Sequence, residues 1–150
     1  MAAGLPRSKA RRAAVQALYQ AQVNNEMPQA DALAFVTAEY TDKIDKKYFS
    51  ILIDGAMKHQ AAIDDALSQT VDRDLSTVDP VEMSVLRLAV FEFMYLPEVP
   101  YRVVLNEAVE LAKSFGGEQG HKYVNGVLDK VGARLRSQEY NAAKAARSKK

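Results

Sequence analysis

Apolar residues recur every three or four positions along most of the chain, which is the spacing of amphipathic α-helices. The pattern predicts a first helix from about Ser8, its N-cap, to Asn24. A second, shorter helix is expected after Pro28, and a long third helix from about Asp45. No segment alternates apolar and polar residues as a half-buried strand does. The inward faces of the first and third helices are predicted to carry Ala14, Val15, Leu18, Ala21 and Gln22, and Tyr48, Leu52, Ala56, Ile63 and Leu67.

The second half of the chain contains the clearest helix signal. Asp79 is followed by proline and, three residues on, by Glu82, which is typical of a helix N-terminus. The helix that follows is apolar on most sides to about Tyr95, so we expect it to be central. The next helix is predicted to run from Pro100 to Phe115 and to stop at Gly116-Gly117, and a last one to cover about 121–136. The sequence therefore predicts an all-α bundle of about six to seven helices.

Charge is distributed unevenly along the chain, although the net charge is only +1. The first 12 residues carry four basic and no acidic side chains, and residues 137–150 carry four basic and one acidic. The region between them holds 12 basic and 18 acidic side chains, a net charge of −6. Basic ends on an acidic body indicate local contact with an anion, and the acidic body matches a basic protein partner.

The sequence offers little to a catalytic or metal site. It has no cysteine, and its two histidines, His59 and His121, have no metal-ligand spacing. Asp64 and Asp65 are adjacent on a predicted helix and diverge by about 100°, so they do not converge on one ion. No apolar run reaches the length of a membrane span, and the N-terminus lacks a signal-peptide core. We expect a cytoplasmic protein that is not an enzyme and has no metal, cofactor or membrane partner.

Four basic side chains crowd the beginning of the first predicted helix, with no acid before Glu26: Arg7, Lys9, Arg11 and Arg12. A helix N-terminus is partially positive, so each cation there costs about 0.3–1 kcal/mol unless an anion is near. Since no acid is close in sequence to Arg11 or Arg12, we expect alanine at both positions to reduce nucleic-acid affinity without lowering thermal stability. The cluster favours a polyanion such as nucleic acid, and a merely solvated basic terminus is the alternative.

Two aromatic residues accompany these cations. Tyr19 lies at the border of the first helix's apolar face, and Gln16 lies on its outer face. Tyr123 follows Lys122 at the predicted start of the last helix, where free backbone amides after the glycine turn 116–120 would attract phosphate. Rings that stack on bases beside cations that hold phosphates suit single-stranded RNA. No helix-turn-helix or zinc motif indicates duplex DNA instead.

Four segments of the sequence form recognisable motifs: the opening helix segment Arg11–Tyr19, the central Val85–Ala89, the long motif Val99–Gly116, and His121–Lys130. Together they resemble the NusB family of bacterial transcription antitermination factors. The similarity spans about residues 7–136 and implies an all-helical fold of two packed subdomains. On that pattern we expect one RNA-binding domain with a flexible basic start at 1–7, helical subdomains at 8–76 and 77–136, and a basic tail at 137–150.

The resemblance also implies a function. Members of this family bind boxA RNA with the ribosomal protein NusE and join NusA, NusG and RNA polymerase in suppressing termination, notably in ribosomal RNA operons. The expected RNA-binding residues are Arg7, Lys9, Arg11, Arg12, Gln16, Tyr19, Glu82, Gln119, Lys122 and Tyr123. Among these, Glu82 is implied by the resemblance alone, since its position in the sequence indicates a capping residue.

Two other functions are compatible with the sequence. One is a helical protein-interaction module whose basic ends only confer solubility. The other is a fragment of a ribosomal RNA methyltransferase, because similar helical domains occur fused to such enzymes. A glycine-rich nucleotide-binding unit behind the helical domain would favour the enzyme, and the chain contains none.

Overall fold

The structure, a computed structural model, describes residues 4–24 and 44–148 of the 150-residue chain. Every regular element within these ranges is helical, which confirms the predicted all-α fold class. The helices are α1 (Gly4–Asn24), α2 (Lys46–Lys58), α3 (Gln60–Ser68), α4 (Pro80–Tyr95), α5 (Tyr101–Leu135) and α6 (Ser137–Ser148), with a 3-10 turn at Leu75–Thr77 before α4. The predicted helix after Pro28 lies outside the described residues.

Helix α4 is the centre of the bundle, as its apolar sequence predicts. It begins where expected, because the Asp79 carboxylate accepts hydrogen bonds from the backbone N–H groups of Val81 and Glu82. Its side chains are buried on nearly every side, and it contacts α1, α2, α3 and α5. Helix α4 thus contacts helices from both halves of the chain. The division of the chain into subdomains between residues 76 and 77 stays a prediction.

Helix α1 lies antiparallel to α4. Arg11, in the first half of α1, contacts Glu92 near the end of α4. Gln22, near the end of α1, donates from Nε2 to the carbonyl oxygen of Pro80 at 3.1 Å, at the beginning of α4. The order of these contacts fixes the direction of α1 across the central helix.

Helix α5 also lies antiparallel to α4. Its first residue, Tyr101, stacks on Phe93 near the end of α4, with ring centroids 5.6 Å apart. Gly120, in the middle of α5, faces the side chain of Glu82 in the first turn of α4. Because α1 and α5 are both antiparallel to α4, they run parallel to each other.

The two parallel helices meet along a surface that we call the α1–α5 seam, defined by two contacts. The hydroxyl of Ser8 donates to the carboxylate of Glu107, and the Arg12 guanidinium lies 4.9 Å from the ring centroid of Phe115. Tyr19 lies seven residues beyond Arg12 in α1, and Tyr123 lies eight residues beyond Phe115 in α5. Each separation corresponds to about 10–12 Å along its helix, and both helices run in the same direction. Tyr19 and Tyr123 therefore lie toward the same end of the seam, where Glu82 also lies.

Two helix boundaries differ from the sequence prediction. Helix α1 begins at Gly4 rather than Ser8, and Ser8 contacts Glu107 of α5 instead of capping its own helix. The long third helix is broken at His59, whose backbone (φ −106°, ψ 18°) separates α2 from α3. The His59 ring stacks on Tyr95 with centroids 3.9 Å apart, so packing against the end of α4 accompanies the break.

The predicted helix stop at Gly116-Gly117 is wrong, because α5 continues unbroken from Tyr101 to Leu135. Glycine inside a helix costs about 1 kcal/mol relative to alanine, so local propensity disfavours continuation. Apolar residues on both sides of the pair are buried in the core: Val104, Ala108, Leu111, Ala112, Val124, Val127, Leu128 and Val131. Packing on α4 thus holds the two halves of α5 in line against local propensity.

The basic tail is helical in its described part, and Arg136 forms the joint between α5 and α6. Arg136 is buried and donates to four backbone carbonyl oxygens at the end of α4 and in the loop after it. Its Nη1 also donates to Glu139 at 2.7 Å. One of these carbonyl groups belongs to Phe93, whose partner four residues on would be Pro97, which has no N–H, so the guanidinium supplies the missing donor.

Candidate nucleic-acid interface

The cations at the beginning of α1 divide into three different environments. Arg7 is exposed, and its guanidinium lies 4.4 Å from the ring centroid of Tyr48. Lys9 and Arg12 are half-buried and line a groove of the α1–α5 seam that also contains the carboxylates of Glu107 and Glu110. Arg7, Lys9 and Arg12 therefore reach the surface, where a phosphate backbone can meet them.

Arg11, in contrast, lies in the core. It is 3% exposed, and its guanidinium makes a bidentate ion pair with Glu92, which is 2% exposed. Its Nη1 also lies 3.4 Å from a carboxylate oxygen of Glu107. The expectation that Arg11 has no acidic partner is therefore wrong, because Glu92 is distant in sequence and adjacent in space.

The Arg11 pair belongs to a buried network. The hydroxyl of Tyr48 donates to Glu92 Oε2, and Arg11 Nη2 donates to that hydroxyl oxygen at 3.3 Å. Burial, the Glu92 charge and the hydrogen bond to it raise the pKa of Tyr48. Burial lowers the pKa of Arg11, but the hydrogen bond and attraction to Glu92 more than offset this, so the pKa is raised. Arg11 thus stays charged within the core, and internal carboxylates replace the external anion that its sequence position suggested.

Further along α1, Gln16 and Tyr19 lie toward the other end of the seam. Tyr19 is 37% exposed, so its ring is available to a ligand. Gln16 is half-buried, and its Oε1 is buried with no hydrogen-bond partner among the described residues. Buried polar atoms are nearly always paired, and one that is not marks a place where strain or a ligand contact is expected.

Glu82 occupies the first turn of α4 but does not act as the cap. Asp79 has that role, and the Glu82 carboxylate lies against the backbone of Gly120, where an added Cβ would be 3.6 Å from Oε2. Burial and the nearby Asp79 charge raise the pKa of Glu82, while Arg73 opposes the increase. The fold therefore places a partly buried carboxyl group beside another acid, an arrangement that is frequent at functional sites.

The predicted sites in the middle of α5 lie near Glu82. Gln119 and Lys122 are exposed, and Tyr123 is half-buried with its hydroxyl buried and without a partner among the described residues. Burial raises the pKa of Tyr123, with the Asp72 and Glu82 charges adding to it and Arg73 opposing it. Since α5 is continuous here, the expected free amides of a helix start are absent from this position. Side chains rather than backbone amides are left to contact a ligand.

Sequence reasoning missed Arg73. It lies in the loop between α3 and α4, flanked by Asp72 and Asp74, and its exposed guanidinium is 4.6 Å from the ring centroid of Tyr123. The flanking acids gave it the pattern of a solvated loop residue, and no local signal connects it to a ring 50 positions away in the sequence. Only the fold brings the two together.

Two negative findings apply to the described ranges. Within residues 4–24 and 44–148, no three histidine, cysteine or acidic side chains are grouped as metal ligands. Nor does any helix there have the length and apolar character needed to cross a membrane.

Comparison with known protein families and curated sequences gives a consistent result. The sequence model of the NusB family matches residues 8–133. A transcription antitermination protein NusB from Nitrosococcus oceani is 46% identical over 136 residues, which cover 91% of this chain and 91% of that protein. The corresponding protein from Shewanella amazonensis is 49% identical over 128 residues, covering 85% of this chain and 96% of its own.

Solved structures of the same family share the fold. T. maritima NusB superposes with a TM-score of 0.73 at 31% identity, covering 84% of this chain and 89% of that one. A crystal structure of the antitermination factors NusB and NusE in complex with double-stranded RNA gives a TM-score of 0.75 at 29% identity. That match covers 83% of this chain and 94% of the other.

Proposed function

The chain belongs to the NusB family of transcription antitermination proteins, which are not enzymes, and from this premise we propose that it binds single-stranded boxA RNA together with the ribosomal protein NusE. In this proposal the pair joins NusA, NusG and RNA polymerase in the cytoplasm and suppresses termination, notably in ribosomal RNA operons. The relatives are antitermination proteins, which favours this function over a general interaction module or a methyltransferase fragment.

The proposed RNA-binding surface follows the α1–α5 seam. Arg7, Lys9 and Arg12 supply phosphate contacts at one end, and Tyr19 supplies a stacking ring toward the other. The proposed RNA-binding surface at the second end also includes five other residues: Gln16, Glu82, Gln119, Lys122 and Tyr123. Arg11 belongs to this surface as a positioning residue, because its buried ion pair holds α1 on α4 beneath the exposed cations.

One observation carries the proposal. Gln16 Oε1 and the Tyr123 hydroxyl are the buried side-chain polar atoms that lack a partner in the described part of the chain, and both belong to the predicted RNA-binding set. Glu82, whose pKa is raised by burial and by Asp79, lies toward the same end of the seam as Tyr123. Unpaired buried polar atoms are expected near sites where a ligand supplies the missing partners.

The proposal of NusE as partner has separate support. A structural neighbour of this chain is a NusB protein crystallised with NusE and double-stranded RNA. The acidic middle of this chain, with a net charge of −6 over residues 13–136, suits a basic ribosomal protein.

Fluorescence anisotropy with labelled boxA RNA and a scrambled RNA of equal length, with and without NusE, tests the proposal. We expect preferential binding of boxA that NusE sharpens, and affinity that falls as salt rises, because phosphate contacts release counterions. Lys122→Ala should weaken binding, whereas the matched charge removal Lys58→Ala, at the exposed last residue of α2 and outside the predicted RNA-binding set, should not. Equal, salt-insensitive binding of both RNAs that NusE does not change would contradict the proposal.

A further inference from the structure

The Tyr123 ring does not present its face to solvent on the side where Arg73 lies. The Arg73 guanidinium is 4.6 Å from the ring centroid, and Arg73 itself is exposed. The Tyr123 hydroxyl is enclosed and unpaired among the described residues. A ligand that approaches this side therefore meets the guanidinium first, with the aromatic ring behind it.

The charges around Arg73 are mainly negative, which decides what kind of group can approach. Asp72 and Asp74 flank Arg73 in the sequence, and the Glu82 carboxylate lies against Gly120, three residues before Tyr123 in α5. These carboxylates oppose the approach of a phosphate group. A nucleobase carries no net charge, and its amino and imino N–H groups can donate to a carboxylate. The surroundings favour a base over a phosphate at this position.

A guanidinium is a suitable surface for a base. It is planar and delocalised, stacks on aromatic faces, and RNA-binding proteins stack unpaired bases on arginine planes as well as on rings. An aromatic ring behind it restricts the motion of the arginine side chain, so less conformational entropy is lost when a base is bound.

We propose that Arg73, supported by the Tyr123 ring, is the stacking surface for one unpaired RNA base whose edge faces the Glu82 carboxylate. The inference rests on the proposed function, since it specifies how one end of the α1–α5 seam reads RNA. It assigns base stacking at this end to Arg73 and makes Tyr123 the residue that positions it.

The test compares Arg73→Ala, Arg73→Lys and Lys58→Ala with the unchanged protein, in complex with NusE, over a range of salt concentrations. Loss of one stacked base corresponds to about a fivefold or greater loss of affinity. We expect Arg73→Ala to show this loss equally at every salt concentration, because no phosphate contact is removed. Lysine should not restore the affinity, since it keeps the charge without the plane. Lys58→Ala should bind normally.

Three outcomes would overturn the inference: normal binding by Arg73→Ala, full rescue by lysine, or a salt slope reduced by about 0.7, which is the signature of one lost phosphate contact on a single strand.

A series of boxA RNAs with single abasic positions gives an independent readout. One abasic position should weaken binding of the unchanged protein and leave Arg73→Ala unaffected, and additive losses at every position would contradict stacking. Thermal unfolding should show that both Arg73 variants are folded. If the unchanged protein fails to bind boxA, the proposed function fails; if it binds and the Arg73 variants match it, only this inference fails.

Discussion

Replacing Arg11 with alanine tests whether the basic start of α1 is partly structural. The substitution removes the cation from the core and leaves the Glu92 carboxylate, 2% exposed, with the Tyr48 hydroxyl as its remaining partner in the described network. Breaking a buried ion pair by removing one member typically costs about 3–5 kcal/mol, because the other charge stays buried without compensation. For a chain of 150 residues this corresponds to a decrease in Tm of roughly 6–20 °C.

Urea-induced unfolding, followed by far-ultraviolet circular dichroism, measures the change in the free energy of unfolding. The matched control is Arg12→Ala, which removes the same charge one residue away. Arg12 is half-buried, and its described contact is the Phe115 ring, so about 0.5–1 kcal/mol is expected from the lost cation–π interaction. The difference between the two variants isolates the contribution of the buried pair from that of the basic cluster.

The double substitution Arg11→Met with Glu92→Gln separates an unpaired charge from lost packing. Removing both charges of a buried pair is often nearly neutral, so the double variant should be more stable than Arg11→Ala alone. Equal losses for Arg11→Ala and Arg12→Ala would refute the buried-network explanation. A double variant as unstable as Arg11→Ala would attribute the loss to packing rather than to the unpaired Glu92 carboxylate.

Two further predictions concern glycines and pH. Gly55→Ala should destabilise the protein by about 1–3 kcal/mol, because the added Cβ would lie 2.1 Å from Phe91 Cζ. Gly126→Ala should stabilise α5 by about 0.5–1 kcal/mol, because no described atom lies within 4 Å of the added Cβ. Urea titrations of both variants test this, and stability changes of the same sign would contradict it. The backbone N–H of Tyr101, with help from Arg136, holds the pKa of Glu139 below 4.5, so its carboxylate stabilises the fold above that pH and the benefit is lost as the pH falls through the lowered pKa. Glu139→Gln should therefore lower Tm at pH 7, and the Tm difference from the unchanged protein should shrink as the pH falls through the lowered pKa; a difference that does not change with pH on the acid side would contradict the mechanism.

Local signals in the sequence were sufficient where the fold depends on local chemistry. The start of α4 at Asp79 and Pro80 follows from capping and proline geometry alone, and the apolar faces of α1 and α2 follow from helical periodicity. The same reasoning failed at Gly116-Gly117, where long-range packing of α5 on α4 outweighs the low helix propensity of glycine. Propensity describes a segment by itself, whereas burial of its neighbours depends on residues far away in the chain.

The residues of the candidate site can be predicted from the sequence only where they are close together in the chain. Charge and aromatic patterning selected Arg7, Arg12 and Tyr19 because such features are visible in one stretch of sequence. The sequence does not indicate a role for Arg73, because that role depends on its contact with the Tyr123 ring, and the contact forms only when α4 and α5 have packed. Only family resemblance identifies Glu82 as a candidate RNA-binding residue, since an acid in the first turn of a helix already stabilises the helix N-terminus.

The beginning of α1 combines a structural cation, Arg11, with a proposed RNA-binding cation, Arg7, and the sequence alone does not distinguish the two. Arg7 lies over the ring of Tyr48, and the hydroxyl of that tyrosine donates to the same Glu92 carboxylate that binds Arg11. The exposed cation and the buried one therefore share a support, so disruption of the Arg11 pair should also disturb the position of Arg7. Weaker RNA binding by Arg11→Ala would then arise from displacement rather than from a lost contact. Measuring the RNA affinity of Arg11→Ala well below its reduced Tm, beside Arg7→Ala, separates the two explanations, because only Arg7→Ala should remove a proposed phosphate contact and reduce the salt dependence of binding.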